Sequence, residues 1–270
     1  MRMLANLGMA LLAGNLPLAG AELNARVLKL IGPDAQAVFG ADVERYHESP
    51  LERLFPLVGY PKAAGTIHQF LEIRGGAAGE EQPLVIWTGS PHTADEDGAA
   101  QLTMLDASTA IWGDPAAMET AMQRWNGSAP VSELAGQVRR LSAGYDNWFL
   151  LLKPLARGEQ AAGLPALKYR NEVTQAVEQI RGGIRLGAFN DVLIEIVTRT
   201  ADQASALAAL GKWLPGLLQL ENPGGVVSLL VDSAENISVS ASGTVVSLSF
   251  TLPGDKVEQL TKGRPQIVEQ

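Results

Sequence analysis

The stretch that decides the fold is ISVSASGTVVSLSFTL, residues 237–252, in which apolar residues alternate with small polar ones. A period of two is typical of β-strands that are buried on one face. A two-residue turn at Ser242-Gly243 would place Val239 opposite Val246, so that the apolar residues of both strands share a face. The stretch therefore predicts an antiparallel hairpin with one apolar face and one face of Ser and Thr.

The composition is that of a globular protein. The 270 residues are 46% hydrophobic and 19% charged, and the formal net charge is -8. This length suits one large domain or two of ordinary size. The negative charge argues against nucleic acid as a partner. The chain has no cysteine, which excludes disulfides, thiolate catalysis and cysteine-ligated metal sites.

The first 21 residues have the pattern of a secretory signal peptide. Arg2 is followed by an uncharged apolar run, residues 3–18, and then by Ala19-Gly20-Ala21. We expect residues 1–21 to be cleaved after Ala21 and the protein to be exported to the periplasm or the medium. The alternative interpretation is a buried first helix. No second segment reaches membrane-spanning length, so no integral membrane span is expected.

The remaining chain divides into two stretches with the same order of elements. Residues 22–130 and 131–270 each contain a strand, a helix, a run of antiparallel strands and a capped helix that ends in Trp. This order predicts an α+β fold of two similar modules, each a mainly antiparallel sheet with helices packed on one face. A coincidence is the alternative to an internal duplication, because the residues of the two halves match poorly.

Besides helices over residues 131–141 and 255–262, two helices are predicted in the second half from apolar spacing and end signals. A capping box over residues 200–203 starts one of them, and its expected buried stripe is Leu207, Leu210, Trp213 and Leu214. The other begins at Asn171 and ends at Gly182-Gly183, with Val173, Val177 and Ile180 as its apolar face.

Two local patterns resemble exported proteins of unknown function from soil bacteria that have duplicated α+β halves. One is the end of the chain, residues 237–262, in which two alternating strands are followed by a short acidic helix. The other is the step Trp112-Gly113-Asp114-Pro115 into an Ala-rich helix. The resemblance implies export and a repeated fold, and it carries over no catalytic or binding residue.

A candidate metal site lies in the acidic loop of residues 89–100. His92, Asp95 and Asp97, with Glu96 beside them, could supply ligands to Ca²⁺ before Gly98. Only a fragment of an EF-hand loop is present, since no ligand Glu follows at the required distance. A solvated loop is the preferred interpretation, and no cofactor-binding motif accompanies it.

A candidate polar cluster lies at Glu44, His47 and Glu48, between a predicted strand and the helix start at Ser49-Pro50. A carboxylate beside His47 could do acid–base chemistry if the geometry allowed it. The preferred interpretation is a polar connection without a catalytic role.

The sequence leaves three classes of function open. The preferred hypothesis is a non-enzymatic exported protein that acts in binding or as a structural part of the envelope, with the Ser/Thr face of 237–252 as a candidate contact for protein or saccharide. The second is a small-ligand carrier with an apolar cavity. The third is a hydrolase that uses carboxylates with His47 or His92.

Overall fold

The fold is described by a computed structural model for residues 23–53, 66–75, 83–90, 102–128, 130–152, 175–212 and 235–262. The strands are β1 Ala37–Asp42, β2 Ile67–Arg74, β3 Leu84–Gly89, β4 Thr103–Asp106, β5 Thr109–Trp112, β6 Asn147–Leu152, β7 Val177–Arg185, β8 Phe189–Thr198, β9 Glu235–Ser242 and β10 Val245–Pro253. The α-helices are α1 Ala25–Lys29, α2 Val43–Glu48, α3 Pro115–Asn126, α4 Glu133–Gly144, α5 Ala201–Gly211 and α6 Gly254–Lys262, and Pro50–Arg53 forms a 3₁₀ turn. The α+β class is confirmed. The predicted signal peptide, residues 1–21, lies outside the described residues.

The ten strands form one antiparallel sheet in the order β4-β5-β3-β2-β1-β6-β7-β8-β10-β9. The central pair is β1 with β6, where Phe39 lies opposite Phe149. Outward from this pair, each half of the chain adds its second, third, fifth and fourth strand in turn. The two halves therefore have the same strand order and continue into each other through β1 and β6.

A matching irregularity occurs at the start of the second strand in each half. The register of β2 with β3 shifts between Ile67 and Gln69, and that of β7 with β8 shifts between Val177 and Gln179. Each shift inserts one extra residue on the inner strand, as a β-bulge does. The correspondence between the halves thus extends from strand order to a local distortion.

The helices are divided between the two faces of the sheet rather than gathered on one. Helices α1, α3 and α4 share a core cluster with β-strand residues such as Leu71, Ile86 and Leu150. Helices α2, α5 and α6 cover the apolar side chains of β8 and β10, among them Val192 and Val246. This arrangement arises because successive residues of a strand point to opposite faces, and the central strands carry apolar residues on both.

Polar N-caps fix the starts of the longer helices. Asp114 accepts hydrogen bonds from the N–H groups of Ala116 and Ala117 at the start of α3. The hydroxyls of Ser132 and Thr200 accept from backbone N–H groups at the third helical position of α4 and α5. These caps satisfy N–H groups that have no partner within the helix, which explains why the predicted starts of α3 and α5 are confirmed.

The predicted register of the C-terminal hairpin is wrong by two residues. Strands β9 and β10 are joined by Gly243-Thr244, so that Val239 lies opposite Leu248. Gly243 has a φ of 56°, and a turn of type II′ requires such a φ at its first central position. Glycine meets this requirement without strain, which moves the turn one residue along the chain. The alternation of apolar and polar faces is retained, because the shift is an even number of residues.

The predicted helix from Asn171 is wrong for its second half. Residues 171–174 lie outside the described part, and the strand β7 occupies Val177–Arg185. Gly182, expected to end the helix, lies inside the strand. A Cβ at this position would lie 2.2 Å from the carbonyl oxygen of Leu193 on β8, so glycine permits the close approach of the two strands.

The buried stripe of α5 differs from the prediction. Ala204 and Ala208 are buried beneath the helix, whereas Leu207 is half-buried and Leu210 is 51% exposed. Small residues at the contact let α5 lie close to β8, β9 and β10. The other two predicted stripe residues, Trp213 and Leu214, lie outside the described residues.

Candidate functional site

The predicted cluster of Glu44, His47 and Glu48 does not converge on a common point. These residues lie on the exposed side of α2. His47 Nδ1 is in hydrogen-bond contact with Glu52 Oε1, and His68 Nδ1 lies 3.9 Å from Glu44 Oε2. The two histidine side chains are 54% and 57% exposed. The arrangement is a set of solvent-facing contacts between His and Glu side chains. Glu44, His47 and Glu48 do not line the cavities beside α1, Asp146 or Arg124.

The candidate metal ligands His92, Asp95 and Asp97 lie outside the described residues. Within the described ranges, no group of three or more His, Asp or Glu side chains could hold a metal ion.

A buried carboxylate joins the two halves of the chain beneath α2. The side chain of Asp146 is 0% exposed and accepts hydrogen bonds from Arg45 Nη1 at 2.8 Å and from the backbone N–H of Leu186 at 2.6 Å. The backbone carbonyl of Asp146 accepts a hydrogen bond from the N–H of Asp42, at the end of β1. The backbone N–H of Asp146 donates to the carbonyl of Ile184, near the end of β7. The hydrogen bond with Asp146, followed by its charge, raises the pKa of Arg45. Both oxygens of the carboxylate therefore accept hydrogen bonds from the protein, and the cluster has a structural role. We call Asp146 with Arg45 and Leu186 the buried polar joint.

The inner face of α2 packs into the core. Tyr46 is 4% exposed and packs with Leu51 and Val192. Burial, and after it the negative charge of Glu52, raises the pKa of Tyr46 to about 12. The phenol is therefore protonated across the physiological range.

A groove between α1 and α4 has the dimensions of a ligand site. Its volume is about 310 Å³, at the lower end of the roughly 300–1,000 Å³ of small-molecule sites. Leu23, Ala25 and Leu28 line it from the side of α1. Val131 and three residues of the α4 end complete the lining, namely Ser132, Gly136 and Arg139. We call this cavity the α1–α4 groove.

The lining of the groove follows from the geometry of the two helices. Ser132, Gly136 and Arg139 are spaced by four and three residues, which places them in one row along α4. Leu23 and Leu28 are buried members of the core cluster under α1, so they form an apolar floor. Val131 is 42% exposed at the edge. The groove thus has a mixed lining, with buried leucines at its floor and Ser132 and Arg139 on the side of α4.

Gly136 keeps the groove open without a steric requirement for glycine. A Cβ at this position would have no heavy atom within 4 Å. Glycine inside a helix costs about 1 kcal/mol relative to alanine, and no neighbouring atom compensates for that cost. What glycine provides at this position is space in the groove.

Arg139 places a positive charge at the groove. Its side chain is exposed, and within the described residues no carboxylate lies within 4.0 Å of its guanidinium. A guanidinium without a carboxylate partner can bind an anion through paired N–H donors.

The other described cavities are too small for an organic ligand. One lies beside Asp146 and Tyr145 and has a volume of about 10 Å³; the other lies beside Arg124 and has about 20 Å³. Volumes of this order hold a single water.

Sequence reasoning did not identify the groove. Its two sides come from segments more than a hundred residues apart, and neither contains a motif. The one local signal was Gly136 inside a predicted helix, where glycine is unfavourable.

No family model and no curated protein matches the sequence. The chain is similar to a solved structure described as "Structure of crystal form I of TP0453", with a TM-score of 0.45 and 8% sequence identity over 92% of this chain and 99% of that one. Among the helices in the described ranges, none has the length and apolar character required to cross a membrane.

Proposed function

We propose that this protein is a non-enzymatic binding protein whose site is the α1–α4 groove. The observation that carries the proposal is a groove of about 310 Å³, lined by apolar residues and by Ser132 and Arg139, at the contact of the two halves of the chain. Ligand sites commonly occupy clefts of this size between structural units. The exposed and separated positions of His47 and His68 favour this function over acid–base catalysis.

The ligand is small and largely apolar. Ala25 and Val131 are exposed at the groove and offer apolar surface that an aliphatic group would cover, and burial of apolar surface provides about 25 cal/mol per Å². The small volume favours a medium-length chain over a long lipid.

Substitution of Gly136 by leucine is expected to abolish binding while leaving the protein folded. The new side chain enters the groove, where no neighbouring atom opposes it, and leucine favours helix over glycine. Isothermal titration calorimetry of the full chain with decanoate should show saturable binding to the wild type and at least tenfold weaker binding to the variant.

Gly144→Leu is the matched control. Gly144 lies at the other end of α4, away from the groove lining, and a Cβ there also has no atom within 4 Å. This variant should bind as the wild type does. Equal binding by wild type and Gly136→Leu would contradict the groove as the site.

Export is part of the same proposal and rests on the signal-peptide pattern of residues 1–21. The expected secreted form begins at Glu22, next to the first residue of the groove lining. Intact-mass measurement of protein recovered from the periplasm or medium should give this N-terminus, and a mature start at Met1 would refute export.

A further inference from the structure

Arg139 is the sole cation among the described residues that line the α1–α4 groove. It lies in the same row of α4 as Gly136, one turn farther along the helix. The residues on the α1 side, Leu23, Ala25 and Leu28, are apolar. The groove therefore combines apolar residues on the α1 side with one positive charge on α4.

Six other arginines of the described chain pair with a carboxylate. The ion pairs are Arg26 with Asp106, Arg45 with Asp146, Arg74 with Glu72, Arg124 with Asp34, Arg181 with Glu195 and Arg199 with Glu178. Arg139 differs from these six because the described chain provides no carboxylate within 4.0 Å of it, a property that it shares with Arg140 and Arg185. What sets Arg139 apart from those two is its place in the groove lining. The charge at the groove is thus available to an external anion.

We propose that the α1–α4 groove binds a medium-chain aliphatic carboxylate, with its carboxylate on Arg139 and its chain against the exposed Ala25 and Val131. This inference rests on the proposed function and names the ligand class of the same site. A planar carboxylate matches the N–H donors of a guanidinium. The net charge of -8 disfavours ligands with several negative charges.

The test compares decanoate with decanol in calorimetric titrations of the full chain. Wild-type protein is expected to bind decanoate at least tenfold more tightly than decanol. Arg139→Gln should weaken decanoate binding about tenfold, the order expected for a charge-assisted hydrogen bond at a solvent-exposed site. The same variant should leave decanol binding unchanged.

Arg140→Gln is the matched control, because Arg140 is the adjacent exposed arginine of α4 and does not line the groove. It should retain decanoate binding within about twofold, the size of a screened long-range charge effect. Circular dichroism melting of all variants checks that they are folded.

The remaining outcomes separate this inference from the proposed function. If decanoate and decanol bind equally and Arg139→Gln has no effect, the groove remains the proposed binding site, but the carboxylate is overturned as the ligand class. If Arg139→Gln and Arg140→Gln weaken decanoate binding equally, general charge attraction replaces the Arg139 contact. If neither compound binds, both proposals fail.

Discussion

Replacing Trp148 by alanine is expected to lower the free energy of unfolding by about 3–5 kcal/mol, the cost of removing a large buried aromatic side chain. Trp148 is 5% exposed, lies on the central strand β6 and belongs to the core cluster under α1 and α4. It also pairs across the junction of the two halves with Gly40 of β1. Urea denaturation followed by circular dichroism measures the loss.

The close contact between Trp148 and Gly40 makes this prediction specific. A Cβ on Gly40 would lie 2.1 Å from Cζ2 of the indole, so Gly40→Ala alone should cost about 1–3 kcal/mol as an overpacked substitution. In Gly40→Ala/Trp148→Ala the clash is absent, and the combined loss should be smaller than the sum of the single losses. Strictly additive losses would contradict the packing of the indole over Gly40.

Replacing Arg45 by glutamine is expected to destabilise the protein by about 2–4 kcal/mol. The charge of Asp146 is fully buried, and removing the partner of a buried charge typically costs about 3–5 kcal/mol. The lower bound allows for the partial exposure of Arg45, whose side chain is 45% accessible. Urea denaturation at neutral pH measures this loss.

Arg181→Gln is the control for this prediction, because its ion pair with Glu195 has both side chains partly exposed. A loss of at most about 1 kcal/mol is expected there. If the Arg45 and Arg181 variants were equally stable, Asp146 would not be the buried polar joint described above.

Much of the sheet was predictable because its strands carry local signals. Alternating or continuous apolar runs bounded by turn residues lie in the sequence at β1, β2, β5 and β6, and polar caps mark the starts of α3 and α5. These features depend on a few neighbouring residues, so the sequence contains them directly.

What the sequence did not reveal depends on contacts between distant segments. Helix α5 lies close to β9 and β10, and only small side chains fit at this contact. Ala204 is therefore buried there, whereas Leu210 faces solvent. Helical spacing at Val177 and Ile180 was overridden by pairing with β8. The α1–α4 groove likewise exists only after two remote segments meet.

The internal duplication stays a prediction. The shared outward strand order and the matching bulges at Ile67–Gln69 and Val177–Gln179 support it. The opposite placement of α3 and α6 on the sheet shows that the halves differ in how they cover it.

The α1–α4 groove is the proposed place where a ligand binds, and photolabelling tests that location most directly. Full-length protein is irradiated with a diazirine-bearing decanoate, with and without excess decanoate, and the labelled peptides are identified by mass spectrometry. We expect competable label on the two segments that line the groove, around Leu23–Leu28 and Val131–Arg139. Label confined to other segments, or label that decanoate does not displace, would contradict ligand binding in the α1–α4 groove.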